Sequence, residues 1–154
     1  MIEAIFIAAR SGEPQVSVDR VSVIPGKGIV GDRNFDRSDW PGQNITFIEA
    51  EAVEDFNRTF NLTISPGDTR RNVVTRGVRL NDLVGRLFEV GGARFYGVEL
   101  CEPCATLGDE LATDTLPASR VVKAWVHKGG LRANVISDGE LRCGMRFSVQ
   151  AMPD

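Results

Sequence analysis

Leu87-Phe88-Glu89-Val90-Gly91-Gly92-Ala93-Arg94-Phe95-Tyr96-Gly97-Val98-Glu99-Leu100 is the stretch that decides the fold class of this chain. Two β-prone runs, rich in Val, Phe, Tyr and Leu, stand on either side of a Gly-Gly pair. A two-residue hairpin loop of type I′ needs positive φ at both central positions, which glycine reaches without steric cost. The segment therefore predicts two antiparallel strands, 87–90 and 93–100. Toward the C-terminus, runs 121–127 and 131–137 flank Lys128-Gly129-Gly130, and both read as strands. Asp138-Gly139, set between Val135-Ile136 and Leu141, is the strongest short hairpin signal in the chain, and 147–149 predicts a last strand that closes the sheet.

Toward the N-terminus the same pattern continues. Residues 2–6 alternate, as do Val16-Ser17-Val18 and Val21-Ser22-Val23, the latter ending in the turn cluster Pro25-Gly26-Lys27-Gly28. Short apolar strands are predicted at 44–48 and 72–75, and 80–84 reads as one helical turn or a tight connection. Residues 49–60 form the one well-patterned helix, with Val53, Phe56 and Phe60 at spacings of three and four. A second, shorter helix is predicted within 106–116, weakened by Gly108. Many short strands with one or two short helices predict a mainly β domain that curls into a closed or nearly closed barrel, which also removes exposed sheet edges.

At 154 residues the chain suits a single domain, 1–154, able to bury about 70% of its unfolded surface. Apolar residues make up 42% and charged residues 25%, the balance of a soluble globular protein. No apolar run approaches the ~20 residues of a membrane helix, and the start lacks a basic signal-peptide region. A cytoplasmic location without membrane contact is expected. The net charge of −3 opposes nucleic-acid binding, which needs a basic field. Among the bases there are 15 Arg and only 3 Lys, and arginine's planar fork binds carboxylate and phosphate bidentately.

The chemistry concentrates in Cys101-Glu102-Pro103-Cys104, which holds two of the three cysteines. Such a pair has several uses. It is half of a zinc site, for which Cys143 and His127 are the remaining candidates; it is a thioredoxin-like redox pair; or it contains one working thiolate that carries sulfur or binds a soft metal. Two ordinary buried thiols at a strand end have the same spacing. Cys143 falls in a predicted terminal strand and is expected to be packed. Gly28-Ile29-Val30-Gly31-Asp32-Arg33 is either an anion-binding loop, with Arg33 as clamp, or a tight turn with an ion pair. Arg70-Arg71-Asn72 before a short strand offers donors to an anion or forms a solvated basic face. His127 is the single histidine, so multi-histidine metal sites are excluded.

Taken in order, several pieces resemble one known family, the MOSC domain, named from the C-terminal domain of molybdenum cofactor sulfurases. They are Gly28-x-x-Gly31-Asp32-Arg33, Gln43-Asn44-Ile45-Thr46-Phe47-Ile48-Glu49, Arg71-Asn72-Val73-Val74-Thr75-Arg76-Gly77, Cys101-Glu102-Pro103-Cys104 and Gly129-Gly130-Leu131-Arg132-Ala133. The resemblance implies a barrel related to the small β-barrel domain of pyruvate kinase. It implies a cysteine, here Cys104, that carries sulfur as a persulfide or ligates molybdenum. Separately from the resemblance, Cys101 three residues earlier is expected as a resolving partner, forming a reversible disulfide that protects the site from over-oxidation. By position the resemblance assigns Arg33, Arg71, Asn72 and Arg132 to the phosphate and pterin of a molybdenum cofactor (molybdopterin). Asn34 departs from the family, where histidine often follows the Gly-Asp-Arg run. Neither the pyridoxal-phosphate domain of the sulfurases nor the N-terminal barrel of larger cofactor proteins is expected here. Sulfur would then come from a separate cysteine desulfurase, or pass to a molybdoenzyme. The alternative from another class is a non-catalytic module that binds an anion, a pterin or a partner protein, its thiol incidental.

Overall fold

The computed structural model describes residues 1–37 and 39–149. The chain begins with β1 (Ile2–Ile7), β2 (Val16–Val18), β3 (Arg20–Ile24) and the short β4 (Gly28–Ile29). β5 (Ile45–Glu49) runs directly into α1 (Ala50–Phe60), and a 3-10 turn at Pro66–Thr69 precedes β6 (Val73–Thr75). A second 3-10 turn, Leu80–Leu83, leads into β7 (Leu87–Val90) and β8 (Ala93–Leu100). Two helices, α2 (Ala105–Leu111) and α3 (Ala118–Trp125), separate these from β9 (Leu131–Val135), β10 (Gly139–Arg142) and β11 (Phe147–Val149).

The strands form an eight-stranded sheet in the order β11-β7-β8-β9-β5-β6-β1-β2 and a three-stranded sheet in the order β10-β3-β4. The large sheet curls into a half-barrel whose ends, β11 and β2, do not meet, so the barrel is nearly closed rather than closed. Gly91 and Gly92 take φ of 57° and 88°, and Val90 faces Ala93 across the turn, as the Gly-Gly pair predicts. β5 and β6 run parallel, an arrangement that needs a crossover, and α1 supplies it.

Phe47 sits at the centre of the interior, its ring edge-on to Phe88 (5.6 Å), Phe95 (5.8 Å) and Phe147 (5.8 Å). Val21 and Val23 of β3, Ile29 of β4 and Leu141 of β10 join the same cluster, so the small sheet helps to fill the concave side. The other face of the large sheet, through Ile48 and Val74, is covered by the helices. There Val53 and Phe56 of α1, Leu107 and Leu111 of α2, and Val121 and Trp125 of α3 form a second core.

Three readings of the sequence give way in the structure. Residues 121–127 are not a strand: most of them belong to α3, because Val121 and Trp125, one helical turn apart, are the residues buried. Pro117 stands at the N-cap, where its missing N–H costs nothing. α3 lies so close to α2 that a Cβ on Gly108 would come within 2.9 Å of the Ala118 carbonyl oxygen. With α3 the described residues contain three α-helices, one more than the upper expectation.

Asp138-Gly139 does not close a hairpin between its neighbours. β9 pairs with β8 and β5, whereas β10 crosses to β3. Neither Asp138 nor Gly139 has positive φ, so the type I′ geometry is absent and the dipeptide serves as a corner between sheets. β11 pairs with β7 and forms a sheet edge instead of a closure. Among the described residues no helix is long and apolar enough to cross a membrane.

Candidate functional site

β8 delivers the cysteine pair. Beyond Leu100, the Cys101 N–H donates to the Gly130 carbonyl (2.8 Å), which extends the β8–β9 pairing by one rung and tucks the Cys101 side chain inside. Pro103 follows, and the chain turns into α2 with Cys104 at its N-cap, φ −119°. The pair is thereby split: Cys101 is buried and Cys104 is exposed, and both are free thiols.

Their acidities diverge for the same reason. The Cys104 thiol is held below its ordinary value, first by the backbone N–H of Leu107. Burial opposes this, and the N–H and hydroxyl of Thr106 and, least, the Arg71 guanidinium add to the lowering. Burial pushes the Cys101 thiol up, although Arg71 and Arg132 pull the other way. Arg71 therefore acts on both sulfurs.

The Arg71 side chain is anchored at one edge, where Nε donates to the Gly129 carbonyl (2.8 Å) and Nη1 to the Thr69 carbonyl (3.3 Å). Arg132 projects from β9 with its guanidinium 5.7 Å from the Trp40 ring centre and its Nε 3.9 Å from a Glu99 carboxylate oxygen. Arg33 is held differently. Its Nη1 donates to Gln15 (2.9 Å) and Asp32 (3.1 Å), and its Nη2 donates to the Arg70 carbonyl (2.9 Å). Burial, only partly offset by Asp32 and reinforced by Arg70 and Arg71, lowers its pKa from the usual arginine value. Asp32 in turn accepts the Ala8 N–H (3.1 Å), so the Gly28–Arg33 stretch is a bracket that ties loops together.

Asn72 lies behind these groups, buried. Its Oδ1 accepts from the Thr46 N–H and hydroxyl, both at 3.1 Å, and its Nδ2 donates to the Phe6 carbonyl (3.1 Å). Its amide thus joins β1, β5 and the start of β6. Of the residues singled out by the sequence, Cys101, Cys104, Arg71 and Arg132 act on one another, Arg33 borders them through Arg70 and Arg71, and Asn72 supports the strands from within.

Cys143 is exposed in the turn after β10, not packed in a strand, because β10 ends at Arg142. Among the described residues no cluster of three or more His, Cys, Asp or Glu side chains is arranged to hold a metal ion. A zinc centre that draws Cys143 and His127 to the pair is therefore not formed.

Sequence reasoning missed the turn that holds the pair. His127, Gly129 and Gly130 press on it from the side: a Cβ on Gly129 would collide with the Cys101 carbonyl, and Gly130 has φ +101°. Gly129-Gly130 was the available signal, and it read only as a connection between two strands.

Brief alkylation of the reduced, cofactor-free protein near neutral pH should label Cys104 ahead of Cys143, since the thiolate is the reacting species. Cys101 should label only after denaturation. Peptide mapping checks the order; labelling of Cys101 in the folded protein would contradict its burial.

The sequence matches the MOSC domain over residues 34–148, and the chain belongs to that family, which is associated with the molybdenum cofactor. Among solved structures, the YuaD protein from Bacillus subtilis superposes with a TM-score of 0.84 at 19% identity, covering 99% of this chain and 96% of that one. YiiM from Escherichia coli gives a TM-score of 0.70 at 17% identity, covering 99% and 70% of the two chains. YiiM from Geobacillus stearothermophilus gives 0.74 at 14% identity, covering 98% and 76%. At these identities the likeness concerns the fold. No match is found among curated proteins.

The donor set fits the cofactor the family implies. One exposed, acidified thiol offers a soft ligand that suits molybdenum. Two neighbouring guanidinium groups, those of Arg71 and Arg132, offer the charge that an anionic pterin phosphate needs.

Proposed function

We propose that this MOSC protein binds a molybdenum cofactor through Cys104, with Arg71 and Arg132 directed to its anionic pterin. The observation that carries the reading is the exposed Cys104 sulfur, held toward its thiolate by the Leu107 and Thr106 N–H groups and by Arg71. When bound, the cofactor supplies redox and oxygen- or sulfur-transfer chemistry at the metal. The chain's own residues have simpler tasks. Cys104 donates charge from sulfur, while Arg71, fixed by the Gly129 and Thr69 carbonyls, keeps its cationic face in place without rearrangement. Arg33 and Asn72 contribute by holding the loops and strands on which these groups stand.

A second reading is favoured by the same accessible sulfur: Cys104 carries a persulfide. Its thiolate would attack the outer sulfur of a donor R–S–SH, supplied by a separate cysteine desulfurase. A Cys104 S–S bond forms as the donor's S–S bond breaks, and R–S⁻ departs.

Protein purified without oxygen separates the two. Elemental analysis and pterin fluorescence should find molybdenum and molybdopterin with the wild-type chain and neither with Cys104→Ala. Under the carrier reading, intact mass should instead show one added sulfur atom, lost in the same variant. A wild-type protein that carries neither group leaves the non-catalytic anion- or partner-binding module in possession.

A further inference from the structure

The stretch between the two cysteines is tied down by a pair of side chains that the site has not so far used. Cys101 is pinned by its N–H to the Gly130 carbonyl, and Cys104 is anchored as the first carbonyl of α2, accepting from Gly108 N–H at 3.1 Å. Between them stands Glu102. Its carboxylate accepts the backbone N–H of His127 at 3.2 and 3.4 Å, and lies 3.1 Å from His127 Nδ1. The contact spans 25 residues of sequence and joins the cysteine loop to the turn after α3. That turn is itself held from the other side, since Asn81 Nδ2 donates to the His127 carbonyl at 2.9 Å. Two residues on, the Gly129 carbonyl receives Arg71 Nε. One turn therefore grips both the loop that carries Cys104 and the arginine that acts on its sulfur.

Fold stability gives little reason for this arrangement. The two side chains are 74% and 46% exposed, and exposed ion pairs add little to stability. His127 also takes φ of +61°, a left-handed conformation that histidine adopts more readily than most residues other than glycine. An exposed pair that joins two loops 25 residues apart in sequence is better explained by what it positions.

We infer that Glu102 and His127 are a positioning pair that fixes the cysteine loop, and hence Cys104, relative to Arg71. The inference rests on Cys104 being the working thiol. The carboxylate orients the loop through its hydrogen bonds with His127. Removing it frees the loop, so the reactivity of Cys104 reports whether the pair positions it.

The experiment measures the alkylation rate of Cys104 by iodoacetamide, followed by peptide mapping, in reduced protein from cells unable to make molybdopterin. Wild type, Glu102→Ala, Glu102→Gln and His127→Gly are compared. Glu102→Ala, which removes every contact of the pair, should slow Cys104 by about tenfold, the low end for loss of outer support of a reactive group; His127→Gly, which accepts φ +61° and keeps the backbone N–H but loses the Nδ1 contact, should slow it by a smaller factor. Glu102→Gln, whose amide oxygen still accepts the His127 N–H, should restore the rate close to wild type. An unchanged or faster rate in Glu102→Ala, an unchanged rate in His127→Gly, or failure of Glu102→Gln to restore the rate would each overturn the inference. A wild-type Cys104 no more reactive than Cys143 would instead remove the reading of Cys104 on which the inference rests.

Discussion

Phe47→Ala should destabilise the protein by about 3–5 kcal/mol, the range for truncating a fully buried phenylalanine. Its ring touches three others, Phe88, Phe95 and Phe147, which come from β7, β8 and β11. A hole at that point removes the contact between the middle of the sheet and its β11 edge, and the surrounding rings are too rigid to collapse into it. Against a total stability of about 5–15 kcal/mol, a loss of this size is a large fraction. In thermal unfolding it corresponds to a fall in Tm of roughly 10 °C, at about 2–4 °C per kcal/mol for a chain of this length. Phe47→Leu keeps most of the volume and should cost clearly less. Equal losses from the two substitutions would mean that the aromatic cluster is not the keystone of the interior.

Gly130→Ala should be nearly as damaging, and its effect should reach the sulfur. At φ +101° an alanine is strained, and its Cβ would run into the Phe47 carbonyl oxygen. Backbone strain of ~1–3 kcal/mol adds to overpacking of ~1–3 kcal/mol, so a total loss of about 3 kcal/mol or more is expected. Gly130 also supplies the carbonyl that receives the Cys101 N–H, and β9 begins at the next residue. Displacement of this backbone should let reagent reach Cys101 in the folded protein. Urea unfolding measures the first effect and alkylation below the transition measures the second. A variant with wild-type stability and a protected Cys101 would show that the close approach at Gly130 relaxes without consequence.

Local signals in the sequence were reliable where one residue type satisfies one geometry. Gly91-Gly92 took positive φ at both positions because the hairpin allows little else. Val53, Phe56 and Phe60 disclosed α1 through spacing alone. Signals with two solutions misled. Val121-Val122 and Trp125 suit a strand by propensity, yet a helix lets Trp125 pack tilted against Phe56, ring centres 5.1 Å apart, and tertiary packing decided. Asp138-Gly139 reads the same way at a corner as in a hairpin. The different environments of Cys101 and Cys104 follow from the β8–β9 pairing and the start of α2, and Glu102–His127 from a loop and a turn that meet only in three dimensions. No periodicity in the chain encodes such a meeting.

The departure of β10 from its neighbour in sequence has a temporal consequence. β3 pairs with β10 from Val23↔Gly139 to Arg20↔Arg142, across more than 100 residues of chain. During synthesis at about 5–20 residues per second, β3 emerges from the ribosome on the order of ten seconds before β10 can reach it. Through that interval its inward residues, Val21 and Val23, and the concave wall they complete lack one partner. The small sheet is thus assembled late, and the nascent chain carries an open apolar edge until then. Slowed translation would prolong the exposure, and the yield of soluble protein should fall with it.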